Sequence, residues 1–103
     1  TAGTQCRDFI YIDDVCSAFN TVIDYIDILD DFVEIDVGTG VSTPVRTVVE
    51  LIKELTNSTS KLGFGEIPLR DGDVAVMEAD ISKLTSLGWQ KKCTLDKGLK
   101  KLI

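Results

Sequence analysis

Two short runs of β-branched and aromatic residues, each followed at once by an amphipathic helical period, constrain this chain more than any other feature. Arg7-Asp-Phe-Ile-Tyr-Ile12 reads as a strand and stops at Asp13-Asp14, an acidic pair that suits a helix N-terminus by capping and by the macrodipole. Val15, Ala18, Phe19, Val22, Ile23 and Ile26 then recur at steps of three and four, which predicts one buried helix face. The pattern repeats. Phe32-Val-Glu-Ile-Asp-Val37 alternates as a strand would, and Gly38-Thr-Gly40 breaks it. Ser42-Thr43-Pro44 offers a cap and a proline for the first helical turn, and Val45, Val48, Val49, Ile52 and Leu55 make the next apolar face. The order so far is β-α-β-α, an α/β chain.

Residues 57 to 79 contain Asn57, Gly63, Gly65, Pro68 and Gly72, and read as a long loop with one short strand near Leu62 to Ile67. Asp80 caps a short helix carrying Ile81, Leu84 and Leu87, which Gly88 ends; Thr94 caps a last one with Leu95, Leu99 and Leu102. The expectation is about four helices with few short strands, in a single unit spanning residues 1–103. Alternating strands and helices usually build a parallel sheet, but two or three strands cannot cover both of its faces and leave exposed edges. At 103 residues, area bookkeeping already comes out near zero net stability. The chain is therefore expected to be marginal alone, to associate with a partner or with itself, or to have been cut from something larger. The lack of Met at position 1 is expected of a truncated chain, and equally of one whose initiator Met is removed by processing.

Several function classes are excluded. Eleven Lys+Arg against 17 Asp+Glu give a formal charge of −6, and the one basic cluster is Lys91-Lys92 with Lys97, Lys100 and Lys101, which argues against a nucleic-acid partner. There is no histidine, which removes Ser-His-Asp and Cys-His nucleophile pairs and every zinc site that uses imidazole. Cys6, Cys16 and Cys93 form no Cys-x-x-Cys pair and are odd in number, which fits a reducing compartment. No stretch is long and apolar enough for a bilayer, and the N-terminus lacks the regions of a signal peptide, so no membrane association and a cytoplasmic location are expected.

Gly38-Thr39-Gly40, between a strand-like run and a helix, invites comparison with loops whose backbone N–H groups cradle a phosphate. The fingerprint fails at its third glycine, where Thr43 stands, and a tight turn is the plainer reading. Gly63-Phe64-Gly65 fails likewise, with Pro68 in the third place. The carboxylate pairs Asp13-Asp14, Asp30-Asp31 and Asp71 with Asp73 are neighbours that rarely converge, so no metal site is expected. Arg70-Asp-Gly-Asp73 is more informative. It offers a guanidinium fork for a phosphate and, three residues on, a carboxylate suited to a pair of ribose hydroxyls, although a surface turn would look the same. Arg7 invites the same two readings, anion ligand or solvated strand start.

Taken together, Arg7-Asp8-Phe9-Ile10-Tyr11-Ile12-Asp13-Asp14-Val15, Asp36-Val37-Gly38-Thr39-Gly40, Arg70-Asp71-Gly72-Asp73, Ala79-Asp80-Ile81-Ser82-Lys83 and Leu87-Gly88-Trp89 form an ordered set. The set resembles the C-terminal part of NAD-dependent nucleotide-sugar epimerases and dehydratases, in the extended short-chain dehydrogenase/reductase family. It runs from about Thr4 to Leu102. The resemblance implies the incomplete C-terminal portion of a Rossmann-type fold. It further implies that Arg7 and Arg70 grip the diphosphate of a nucleotide-sugar, that Asp73 binds nucleotide ribose, and that Asp80 caps the following helix. Asp36 departs from the pattern, which usually has asparagine, so a carboxylate that only accepts replaces an amide.

The family's Gly-x-x-Gly-x-x-Gly loop for NAD and its Tyr-x-x-x-Lys pair are missing: Tyr11 is followed four on by Val15, and Tyr25 by Leu29. No catalytic residue is therefore assigned. NAD(P) is expected in a full-length parent and not on this chain alone. The parent reaction implied is transient oxidation at the hexose C4 hydroxyl, then epimerisation at C4 or elimination across C5 and C6. The expected partners are a nucleotide-diphosphate sugar and either the missing N-terminal cofactor domain or a second copy. Toward that domain the Val15 to Ile26 helix and the Phe32 to Val37 strand would look. The runner-up is a stand-alone, non-catalytic ligand-binding or interaction module of the same fold.

Overall fold

A computed structural model describes all residues, Thr1–Ile103. In chain order the elements are β1 (Cys6–Arg7), α1 (Ile12–Asp24), a 3-10 turn (Ile26–Ile28), β2 (Thr43–Pro44), α2 (Val45–Leu55), α3 (Ser82–Ser86) and α4 (Leu95–Leu102). The four helices match the sequence pattern. The strands do not: of the expected Arg7 to Ile12 strand only Arg7 lies in β1 and Ile12 already opens α1, and β1 pairs antiparallel with the unforeseen β2, Cys6 opposite Pro44 and Arg7 opposite Thr43. A single parallel bridge joins Cys6 to Val76, through Cys6 N–H to Ala75 O at 2.7 Å and Met77 N–H to Cys6 O at 2.9 Å.

Two expected strands are absent. Phe32 to Val37 joins no ladder and makes no backbone-to-backbone hydrogen bond. Its alternation is that of a strand, but the chain supplies no neighbour for it to pair with. Leu62 to Ile67 is a turn, because Gly65 takes φ +82° and the Glu66 N–H closes onto Gly63 O at 3.2 Å.

The helix starts also depart in detail. No side chain caps α1, which begins at Ile12 with Asp13 and Asp14 in its first turn. Asp14 is buried and turned elsewhere, accepting from the N–H groups of Lys92 and Cys93, both at 3.0 Å. That bond ties the strand-like approach to α4 onto α1. Nor do Ser42 and Thr43 cap α2: Thr43 is paired in β2, and the Ser42 hydroxyl donates to Met77 O. Carbonyls from the N-terminal segment take their place, Gln5 O accepting from Val45 N–H at 2.9 Å and Gly3 O from Arg46 N–H at 2.8 Å. Gly3 is required there, with φ +71° and room for no Cβ, which would fall 2.8 Å from Arg46 Cβ. Thr94 caps α4 as the sequence predicts, and Asp80 reaches the first N–H of α3 from one residue before its N-cap position, Ile81. Asp80 Oδ1 accepts from Ser82 N–H at 3.0 Å, and the Thr94 hydroxyl accepts from Lys97 N–H at 3.3 Å.

The core is small. Ala18 of α1 and Leu84 of α3 are fully buried against Trp89, with Ile10, Val22 and Ile35 packed around them. Trp89 is set by the chain reversal at Gly88 and donates its indole N–H to the Ser17 hydroxyl at 2.9 Å. The predicted single buried face of α1 is in fact divided. Ala18 and Val22 face this core, whereas Ile12, Phe19, Ile23 and Ile26 are each about 60% exposed. At those spacings they form one outward stripe.

Extents of 51 × 33 × 14 Å describe a slab about one helix thick. Its radius of gyration, 16.6 Å, exceeds the roughly 13 Å of a compact domain this size. The slab has no second layer over the α1 stripe. No helix is long and apolar enough to cross a membrane.

Candidate functional site

The end of β1 carries two adjacent charges that serve different loops. Arg7 Nη1 donates to the carbonyls of Cys6 at 2.8 Å and Val74 at 2.7 Å, and Nη2 donates to Asp73 Oδ1 at 3.0 Å. Both side chains are mostly buried, 25% and 19% exposed. Of the five guanidinium N–H groups, Nε–H and one on Nη2 have no protein partner and can still meet an anion. A fixed fork with two N–H groups left over is a preorganised ligand for a phosphate oxygen.

Arg70 and Asp73 are the first and fourth residues of a turn, closed by Asp73 N–H to Arg70 O at 3.2 Å. Gly72 occupies the third position with φ +79°, the conformation a type II turn demands there. Asp73 Oδ1 is engaged with Arg7, while its second oxygen accepts from no protein group. Arg70 is exposed and makes no ion pair. Thus Arg7 and Asp73 are in direct contact, and Arg70 stands at the other end of the turn that carries Asp73. Beside them Thr4, Gln5, Leu69, Asp73, Val74 and Ala75 line a hollow of about 80 Å³. A larger and more open depression, about 750 Å³, lies over Gly40 and residues 78–86. It includes Glu78 and Asp80, whose charge opposes a phosphate.

Asp8 is the residue whose role sequence reasoning missed. Its Oδ1 accepts from the Thr39 N–H at 2.9 Å and the Thr39 hydroxyl at 2.6 Å, and its Oδ2 from Gly40 N–H at 2.9 Å and Ala79 N–H at 3.2 Å. Partial burial raises its pKa, but the bonds from Thr39, Ala79 and Gly40 together outweigh that and hold it below the ordinary carboxylate range. The Gly38-Thr39-Gly40 loop is therefore a turn wrapped around the protein's own carboxylate. Its N–H groups at Thr39 and Gly40 are taken, and the loop does not fit a dinucleotide phosphate. The only signal was the position of the acid, directly after Arg7 at the head of a strand-like run. Asp36, where the resemblance leads one to expect asparagine, uses only the acceptor capacity that both side chains share, taking Asp80 N–H at 3.2 Å.

Asp80 is held below the ordinary range by the hydroxyl and N–H of Ser82 and, less strongly, by Lys83, against a weak opposing effect of burial. This is the signature of a helix cap, a structural role.

No family model matches the sequence. The chain is 40% identical over its whole length to CDP-abequose synthase of Salmonella muenchen, of which it covers 35%. Among solved structures it resembles UDP-glucose 4-epimerase of Thermotoga maritima with UDP-glucose, at a TM-score of 0.75 and 30% identity over 95% of this chain and 30% of that one. MoeE5 in complex with UDP-glucuronic acid and NAD gives a TM-score of 0.75 at 32% identity, over 94% of this chain and 31% of that one. The chain thus spans about a third of the length of the proteins it matches. Sequence and fold agree in matching the chain to the C-terminal portion of Rossmann-type nucleotide-sugar enzymes of the extended short-chain dehydrogenase/reductase family.

Proposed function

We propose that this chain is the part of an NAD(P)-dependent sugar epimerase or dehydratase that grips the nucleotide-diphosphate sugar, and that alone it turns nothing over. The observation that carries the reading is the Arg7–Asp73 contact beside Arg70 in one turn. Arg7 and Arg70 supply donors to the diphosphate, and the open oxygen of Asp73 takes ribose hydroxyls. Oxidation at the hexose C4 hydroxyl, with the epimerisation or elimination that follows, belongs to groups this chain does not carry. Consistent with that division, its one glycine-rich turn between a strand-like run and a helix is closed around Asp8.

The partner is the cofactor-binding remainder of such an enzyme. Three features support it: the stripe of Ile12, Phe19 and Ile23 on α1 continued by Ile26 of the 3-10 turn, the unpaired Phe32 to Val37 segment, and the single-layer thickness. A segment with a strand's alternation but no pairing, and an apolar helix face left uncovered, are what the edge of a parallel sheet and its covering helices accept.

The test is calorimetric titration of the chain with UDP, CDP and GDP, alongside an assay with NAD and UDP-, CDP- and dTDP-hexoses. Nucleotide binding without turnover is expected. Absence of binding to every nucleotide would remove the assigned grip, and substrate-dependent turnover would overturn the division of labour.

A further inference from the structure

Resting on the reading that a cofactor-binding remainder covers α1, we propose that the outward face of this helix is a docking surface for an apolar polypeptide face edged by lysine and arginine, and that it selects such a partner over a second copy of the chain. Ile12, Cys16, Phe19, Ile23 and Ile26 follow one another at steps of four and three, the spacing of a helix seam that packs on another surface, and all five are exposed. Asp13 and Asp24, exposed as well, run along one flank of the seam, and Asp27, Asp30 and Asp31 follow at its C-terminal end. Charges beside an apolar seam set which partner it takes.

Those charges have one sign. Residues 8–45 hold nine of the chain's 17 acids and none of its 11 bases. None of the five acids beside the seam enters an ion pair. Lys83 reaches the segment that follows, but its ammonium donates to the Glu34 carbonyl. Nor do the acids gather around a metal, since no three acidic or cysteine side chains converge on a point that could hold one. The face is thus uncovered and its border is uncompensated. A second copy docked by two-fold symmetry would set these acids against themselves, whereas a cation-edged partner answers both the seam and its border.

The experiment titrates the intact chain with two synthetic amphipathic peptides that share a leucine seam, one edged with lysine and the other with glutamate. The lysine-edged peptide should bind about tenfold tighter at low salt, the sum of several exposed ion pairs, and salt should shrink the difference. Asp13→Asn with Asp24→Asn and Asp27→Asn should erase most of that preference. Glu54→Gln with Glu66→Gln and Glu78→Gln removes the same charge from exposed positions elsewhere and should leave it. Phe19→Ser with Ile23→Ser should weaken both peptides about a hundredfold through lost apolar burial. Equal affinities for the two peptides, or a preference that the control triple variant erases equally, overturns the charge selection and leaves the apolar interface standing. Binding of neither peptide, or binding indifferent to the Phe19 and Ile23 changes, removes the interface and with it the covering of α1 by a partner. A low-salt dimer in sedimentation that the Phe19 and Ile23 changes dissolve would make the second copy the occupant and overturn the proposal.

Discussion

The Arg7 guanidinium meets the Asp73 carboxylate at 3.0 Å, although the two lie 66 positions apart in sequence. The contact works together with the Val74 carbonyl and the Cys6–Val76 bridge to fasten the long loop of residues 57 to 79 to β1. Much of what the proposed site can do follows from that fastening, because it fixes the turn that carries Arg70.

Arg7→Ala and Arg70→Ala should each weaken nucleoside-diphosphate affinity by about 1.5–3 kcal/mol, the range for hydrogen bonds to charged groups. Their effects on folding should differ. Arg70 is exposed and unpaired, so its removal should change stability by no more than about 0.5 kcal/mol. Arg7 holds two carbonyls and a carboxylate, so its removal should also lower the melting temperature. Calorimetry paired with thermal melts checks both, and equal melting losses would show that Arg70 has a structural partner.

Asp8 should make stability acid-sensitive. Its folded pKa lies below the ordinary value of 3.8, so its stabilisation is complete above that value and is lost as pH falls through the folded pKa. Asp8→Asn keeps the shape but removes the charge and half the acceptor capacity, so it should flatten the pH dependence of stability below about pH 4. Asp8→Ala leaves the donors of Thr39, Gly40 and Ala79 unmet, at a cost of about 1–3 kcal/mol. Urea melts of the three proteins at pH 3 and pH 7 measure this; parallel pH profiles for wild type and Asp8→Asn would assign the acid response elsewhere.

Leu84→Ala should be the most damaging conservative truncation. Leu84 is fully buried against Ala18 and Trp89, and a leucine-to-alanine change in a core costs about 2–5 kcal/mol. With so few buried residues to share the loss, cooperative unfolding itself should weaken, which near-ultraviolet circular dichroism of Trp89 would report. A native Trp89 signal at unchanged melting temperature would mean that the core lies elsewhere.

Legibility in the sequence tracks how local the determining physics is. The Arg70 to Asp73 turn could be read because its glycine and its ends lie within four residues, and the Asp80 and Thr94 caps because a cap is one bond long. That Asp73 faces Arg7 could not be read, since nothing local selects one acid among 17. Asp14 misled and Asp8 was missed for a related reason: an acid early in a helix looks like a cap, and one inside a strand-like run carries no local sign of a partner, until distant N–H groups claim them. The α1 period was real, but a period cannot say how many surfaces it meets. Phe32 to Val37 likewise carried the pattern of a strand without the neighbour that would make it one.

The outward half of α1 yields the last prediction. Phe19 and Ile23 are 61% and 60% exposed, four residues apart on the side away from Leu84, and so support nothing in this chain's own core. Apolar stripes of this kind drive association when left uncovered. Phe19→Asp with Ile23→Asp should therefore leave the melting temperature nearly unchanged, while lowering any concentration-dependent self-association seen by sedimentation. In a full-length family member carrying this segment, the same pair should instead be strongly destabilising, because each burial lost there amounts to about 1.5–3 kcal/mol and places a charge in the interface. The contrast between the two backgrounds is the discriminating measurement. A large loss of stability in the short chain would place Phe19 and Ile23 in its own core, and no loss in the long one would mean that the stripe is never covered by a partner.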